Sequence, residues 1–92
     1  MTNIITLKDK ENRTITLAGD LCNTDSDSAI VLPVDDNTPI VINGVDTVSC
    51  ETVDDDDLRL DDAMQLTAEI SYRQKCMTAA KLDVAYAYAT FR

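Results

Sequence analysis

The distribution of glycine and proline divides this chain into two parts with different folding preferences. Gly19, Gly44, Pro33 and Pro39 are the only such residues among the 92, and none follows Gly44. Because both residue types interrupt regular structure, the first part favours short strands joined by turns and the second part tolerates a long helix. A chain of this length has room for one hydrophobic core, so we expect a single domain over residues 1–92.

Alternating polar and apolar residues near the start predict a β-hairpin. Residues 4–7 are mainly apolar, and residues 14–17 alternate Thr-Ile-Thr-Leu, which is typical of a half-buried strand. A polar turn over residues 8–12 separates them. We expect this hairpin to end at Gly19-Asp20.

Two further apolar runs, at residues 29–34 and 40–42, extend the predicted sheet. Pro33 favours an edge position or an early strand end for the first run. Asn43-Gly44 follows the second run and predicts a type I′ turn, with a returning strand over residues 45–53. The first part therefore predicts four or five short antiparallel strands.

Helix-forming residues dominate the second part and predict a helix from about Asp57 to Phe91. One apolar face has helical spacing and consists of Ala63, Leu66, Ile70, Met77, Ala80, Val84, Tyr88 and Phe91. We expect no strand after Asp62. The resulting fold class is α+β: a small antiparallel sheet followed by a C-terminal helix or helical pair packed on it.

A second, weaker apolar stripe lies nearly opposite the first and leaves three interpretations open. It comprises Met64, Ala68, Ala79, Leu82 and Tyr86. The helix is broken near residues 73–78 into a pair, or it lies between the sheet and another molecule, or these side chains are tolerated on the surface. Arg73 interrupts the first stripe, so we expect neighbouring side chains to fix its position.

The charge is strongly negative and unevenly placed. The net charge is −9, and residues 20–62 contain thirteen acids but only one base, Arg59. This argues against direct binding to duplex DNA or to anionic membranes, because phosphate contacts require Lys and Arg. A basic partner and a plain solubilising surface both remain compatible with the clustering.

Residue types needed for catalysis or metal binding are scarce. There is no histidine, no CxxC pair and no glycine-rich phosphate loop. We therefore expect no enzyme activity, no cofactor and no metal site. The three cysteines, Cys22, Cys50 and Cys76, are expected to stay reduced and unpaired, and no apolar run is long enough to span a membrane. These features favour a cytoplasmic protein.

The candidate binding residues are the acids that exceed the needs of turns and helix capping, together with the arginine in the apolar stripe. They are Asp54, Asp55, Asp56, Asp57, Asp61, Asp62, Asp35, Asp36 and Arg73. Such carboxylates can engage basic side chains that otherwise hold nucleic-acid phosphates, and this attraction weakens with salt.

In size, acidity, lack of catalytic residues and its strand-then-helix plan, the whole chain resembles the small acidic anti-CRISPR proteins that act on type I surveillance complexes. No motif carries the resemblance, so no residue role is transferred. The resemblance implies a DNA mimic in the bacterial cytosol that binds a guide-RNA–protein complex and blocks target DNA. The basic residues Arg73, Lys75, Lys81 and Arg92 depart from a pure DNA mimic. The alternative is a small phage or virion assembly component that oligomerises through its C-terminal helix.

Overall fold

The computed structural model describes residues 1–24, 27–34, 38–74 and 80–81, and within them the chain forms six strands and one helix. The elements are β1 (Thr2–Lys8), β2 (Thr14–Thr24), β3 (Ser28–Pro33), β4 (Ile40–Asn43), β5 (Thr47–Val53), α1 (Leu58–Gln74) and β6 (Ala80–Lys81). The predicted α+β class is confirmed: five antiparallel strands precede one long helix.

The strands form one sheet in the order β5-β1-β2-β3-β4-β6. β1 lies between β5 and β2, and every pairing among the first five strands is antiparallel. The predicted first hairpin is confirmed, because β1 pairs with β2 from Ile4 opposite Ala18 to Lys8 opposite Thr14.

The turn of this hairpin is held by the buried carboxylate of Asp9. Its Oδ1 accepts the backbone N–H groups of Glu11 (3.0 Å) and Arg13 (2.8 Å), and its Oδ2 accepts the guanidinium of Arg13 at 2.7 Å. Asn12 adopts a positive φ of 65°, which asparagine tolerates better than most residues. The polar residues between the two strands therefore specify the turn.

The prediction that the hairpin ends at Gly19-Asp20 is wrong, because β2 continues through both residues to Thr24. Ala18 is the last residue paired with β1, and Gly19 is the first paired with β3. Gly19 has a φ of 153°, a conformation that side chains rarely permit, and an added Cβ would overlap the carbonyl oxygen of Leu32. The glycine thus lets one strand join two halves of the sheet.

The hairpin predicted at Asn43-Gly44 is also wrong. β4 and β5 are not neighbours, since β5 crosses to pair with β1. Only Gly44 has a positive φ, of 81°, whereas a type I′ turn needs two such residues. The backbone N–H groups of Gly44 and Val45 instead both donate to the carbonyl of Asp27, at 2.7 and 2.9 Å. Pro33 does close β3, as predicted.

The helix begins next to the predicted residue, Asp57, but it does not extend to Phe91. α1 ends at Gln74, and Ala80–Lys81 form a short strand parallel to β4, which corrects both the helix length and the expectation of no strand after Asp62. This pairing satisfies backbone groups of β4 that would otherwise lie open at a sheet edge. Residues 75–79 and 82–92, including the possible second helix, lie outside the described residues.

One face of α1 packs against the sheet. This face contains the first three residues of the predicted apolar stripe, Ala63, Leu66 and Ile70. Leu66 and Ile70 join the main core, which otherwise consists of Ile5, Leu7, Ile15, Leu17, Ala29, Val31, Ile40, Ile42 and Val45. Leu60 and Ala63 belong to a second cluster with Ile4, Ala18 and Val53. Arg73, which was predicted to lie within this stripe, is exposed. The helix therefore contributes to both clusters.

A threonine of the helix completes the bend in β2. The backbone N–H of Ala18 donates to Oγ1 of Thr67 at 2.9 Å, and this hydroxyl donates to the carbonyl of Ala63 at 2.6 Å. Thr67 is only 3% exposed. Because a buried N–H without an acceptor is costly, this hydroxyl ties the helix to the point where β2 changes partners.

Gly19→Ala is expected to destabilise the fold by about 3 kcal/mol or more, because it combines a disfavoured φ with a backbone overlap. Gly44→Ala is the matched control, since its positive φ alone should cost about 1 kcal/mol. Urea unfolding of both variants measures the difference. Equal losses would contradict the bend described at Gly19.

Thr67→Val is expected to cost about 1–3 kcal/mol, because it preserves shape but leaves the Ala18 N–H without an acceptor. Thr67→Ser keeps the hydroxyl and loses one methyl group, which should cost about 1 kcal/mol. Urea unfolding together with hydrogen exchange at Ala18 separates the two effects. A valine variant as stable as the serine variant, with unchanged exchange at Ala18, would refute this role for Thr67.

Candidate functional site: the acidic end of the domain

The six predicted acids Asp54, Asp55, Asp56, Asp57, Asp61 and Asp62 lie together where β5 passes into α1, and we call them the acidic end. β5 finishes at Val53, opposite Thr2 at the start of β1. The N–H of Asp57 then donates to the carbonyl of Asp54 at 3.0 Å, which closes a tight turn before the helix. Strand end, turn and first helical turns thus concentrate the carboxylates.

Asp57 caps the helix. Its Oδ1 accepts the backbone N–H of Arg59 at 2.9 Å, and its carbonyl accepts the N–H of Leu60 at 3.1 Å. These bonds satisfy two of the donors that a helix start leaves free, and the carboxylate complements the helix dipole. Among the four consecutive aspartates, Asp57 is therefore the one that caps the helix.

Arg59 neutralises part of the acidic end. Its guanidinium contacts Asp57 at 3.0 Å and Glu51 of β5 at 2.9 Å. Hydrogen bonds from Arg59 hold the pKa of Asp57 below its ordinary value, and the two carboxylates raise the pKa of Arg59. The sequence marked Arg59 as the only base of the region, but its link to Glu51 emerged only from the fold.

Asp55 holds the beginning of the chain. Its Oδ1 accepts the hydroxyl of Thr2 at 3.2 Å and lies 3.4 Å from the amino group of Met1. Both partners of this ion pair are well exposed, so its contribution to stability is small.

Four carboxylates of the acidic end neither cap the helix nor pair with another side chain of the described residues. They are exposed, and their side chains make no hydrogen bond or ion pair within the described part of the chain: Asp54, Asp56, Asp61 and Asp62. Structural pairing thus accounts for two of the six predicted acids and leaves these four available to a partner.

The structure does not bring Arg73 to the acidic end. Arg73 lies sixteen residues after Asp57, which corresponds to about 24 Å along a helix. Its guanidinium is 3.4 Å from Glu69, one turn earlier, and about half of its side chain is exposed. Asp35 and Asp36 lie outside the described residues.

Positive charge gathers at the opposite end of β1. Exposed Lys8 and Lys10 lie at the β1–β2 turn, and Arg13 there is paired with Asp9 and Glu11. A seven-residue strand separates this turn from Thr2 by about 20 Å. Lys8 and Lys10 therefore lie at the end of β1 that is distant from the acidic end.

The described residues contain no group of His, Cys, Asp or Glu that could hold a metal ion, and no helix that is long and apolar enough to cross a membrane. Cys22 and Cys50 are free and exposed, and Cys76 lies outside the described residues.

Comparisons of this chain with protein-family models, curated proteins and solved structures find no match. Function is therefore inferred from the geometry and charge of the acidic end.

Asp57→Asn keeps a side-chain acceptor for the cap but removes the charge that pairs with Arg59, so its unfolding midpoint at pH 7 should be lower than the parent's. Asp57→Ala loses both and should be lower still. Because the folded-state pKa is depressed, the advantage of the parent over Asp57→Asn exists above about pH 4 and disappears as the pH falls through the folded pKa.

Urea midpoints measured from pH 7 to pH 2 check this, with Asp56→Asn as the control that should match the parent. A constant difference between the parent and Asp57→Asn at every pH would contradict the ionic role of Asp57.

Proposed function

We propose that this protein is a non-catalytic inhibitor that covers a basic, nucleic-acid-binding surface of another complex with its acidic end. The observation that carries the proposal is the group of four exposed carboxylates without structural partners, Asp54, Asp56, Asp61 and Asp62. Asp55 and Asp57 lie among them and add to the same negative field, although each is partly compensated.

Concentrating like charges in this way is unfavourable for the isolated domain. Capping and dipole effects favour acids in the first helical turn, but they reward only one or two of them. A basic partner surface relieves the repulsion among these carboxylates. Because their fields add, they attract such a surface over a longer distance than a single carboxylate does. Binding should therefore be fast and should weaken as salt is added.

An acidic patch of this kind binds basic surfaces, and a basic surface that it covers can no longer bind nucleic acid. Lys and Arg side chains that contact phosphates supply much of the affinity of nucleic-acid-binding proteins. A protein that pairs with those side chains removes them from phosphate binding without contacting nucleic acid itself. For the partner we propose a type I CRISPR ribonucleoprotein in the bacterial cytosol, on the resemblance to acidic anti-CRISPR proteins.

The alternative function, an assembly component that oligomerises through its C-terminal helix, has no specific observation in its favour among the described residues. The apolar face of α1 with Leu66 and Ile70 is already buried within the same chain. The exposed part of α1 carries Tyr72 as its largest apolar side chain beyond the first turn, which alone is ordinary for a surface helix. Oligomerisation stays a prediction.

Neutralising the four unpaired carboxylates tests the proposal. The variant combines Asp54→Asn, Asp56→Asn, Asp61→Asn and Asp62→Asn, which spares the Asp57 cap. Exposed pairs contribute about 0.2–1 kcal/mol each, so affinity for a purified type I surveillance complex should fall roughly 5-fold to several hundred-fold, with a shallower salt dependence. Target-DNA binding by the complex should recover in parallel.

The control combines Glu11→Gln, Asp27→Asn, Asp46→Asn and Glu69→Gln, which changes the net charge equally at exposed or half-buried positions elsewhere. It should retain most of the affinity, and both variants must unfold near the parent temperature. Equal affinities for the two variants would show that total charge, not the acidic end, governs binding.

A further inference from the structure

A groove lies beside the acidic end, between α1 and the face of the β1–β2 hairpin that carries Thr6 and Thr16. In this hairpin Ile5, Leu7 and Leu17 point into the main core, and the alternate residues lie on the opposite face, where Ile4 and Ala18 pack against Leu60 and Ala63 of the helix. Thr6 lies directly opposite Thr16. The helix covers these half-buried threonines only in part, and a groove of about 570 Å³ opens there.

The lining of the groove combines aliphatic, hydroxyl and carboxylate groups. Thr6, Thr14 and Thr16 provide hydroxyls, Ala63 and Leu66 provide an apolar wall, and Asp62 stands on the helical side. Asp62 makes no ion pair within the described residues. The groove is therefore a mixed surface with one available negative charge.

A cation at one end of the groove is already compensated. Arg59 also lines the groove, but its guanidinium is held by Glu51 at 2.9 Å and Asp57 at 3.0 Å. Two carboxylates thus face one guanidinium, and Asp62 adds a further negative charge. A small anion is disfavoured here, and a purely apolar ligand would bury carboxylate and hydroxyl groups without partners.

We propose that this groove receives an arginine side chain of the partner, with Asp62 as its carboxylate and the threonine hydroxyls as further acceptors. The inference rests on the proposed function and specifies which basic side chain the protein recognises. The aliphatic stem of arginine can pack on Ala63 and Leu66, and its planar guanidinium offers five donors to several acceptors at once. A lysine ammonium offers three donors from a single point and matches such a set less well.

Asp61 and Asp62 form a matched pair for the test. They are adjacent, both exposed and near the same helix end, so they contribute similarly to the helix dipole and to the long-range field. Only Asp62 lines the groove. Asp61→Asn and Asp62→Asn therefore change charge equally and differ in whether the groove loses its carboxylate.

The probe is an acetylated tri-arginine amide, titrated into the isotopically labelled full chain and followed by NMR. The control peptide replaces each arginine by citrulline, whose neutral urea group has a similar shape. We expect amide shifts centred on Thr6, Thr16 and Asp62 with the arginine peptide only. Asp62→Asn should weaken binding about 10-fold, as for a charge-assisted hydrogen bond, and Asp61→Asn only about 2-fold.

Thr16→Val, which removes a hydroxyl with little change in volume, should weaken arginine binding while leaving the unfolding temperature near that of the parent. Equal losses for Asp61→Asn and Asp62→Asn, equal binding of the citrulline peptide, or the absence of shifts in the groove would each overturn the arginine site. The proposed function would survive those results, because it fails only if the fourfold acidic-end variant still binds the surveillance complex as its charge-matched control does.

Discussion

The hydrogen bond from the Ala18 N–H to the Thr67 hydroxyl is the interaction on which the arrangement of the domain depends. It lies where β2 leaves β1 and joins β3, a change of partner that Gly19 makes sterically possible. This hydroxyl, together with the buried Leu60, Ala63, Leu66 and Ile70, fixes the position of α1 across the bend. Because α1 is held there, its first turn meets the ends of β1 and β5, and the acidic end and the threonine groove form side by side.

Local sequence signals predicted the strands and the start of the helix, but not the pairing of distant elements. The alternation in β1 and β2 was sufficient for the first hairpin, because its turn is made by neighbouring residues. Gly19 was interpreted as the end of a hairpin and Asn43-Gly44 as a hairpin turn, although Gly19 bends a strand and Gly44 precedes a crossover to β1. The apolar residues after Gln74 fit both a helical and a two-residue period, so their spacing alone could not exclude the strand at Ala80–Lys81.

The sequence predicted the location of the candidate site, but not which of its carboxylates have structural partners and which do not. Clustered aspartates before a helix predict both capping and an acidic surface, and the chain forms both. The bond from the Arg59 N–H identifies Asp57 as the cap. Arg59 reaches Glu51, eight residues away, because β5 lies beside the start of the helix. The groove at Asp62 also required the fold, since its threonines come from two strands that precede the helix by some forty residues or more.

Backbone hydrogen exchange, measured for the protein alone and in complex with a type I surveillance complex, tests most directly whether the acidic end faces the partner. We expect slower exchange in the bound state from Asp54 to Asp62 and at Thr6 and Thr16. We expect no change at the β1–β2 turn around Lys10 or near Arg73. Protection confined to that turn or to the end of α1, with unchanged exchange from Asp54 to Asp62, would contradict this expectation.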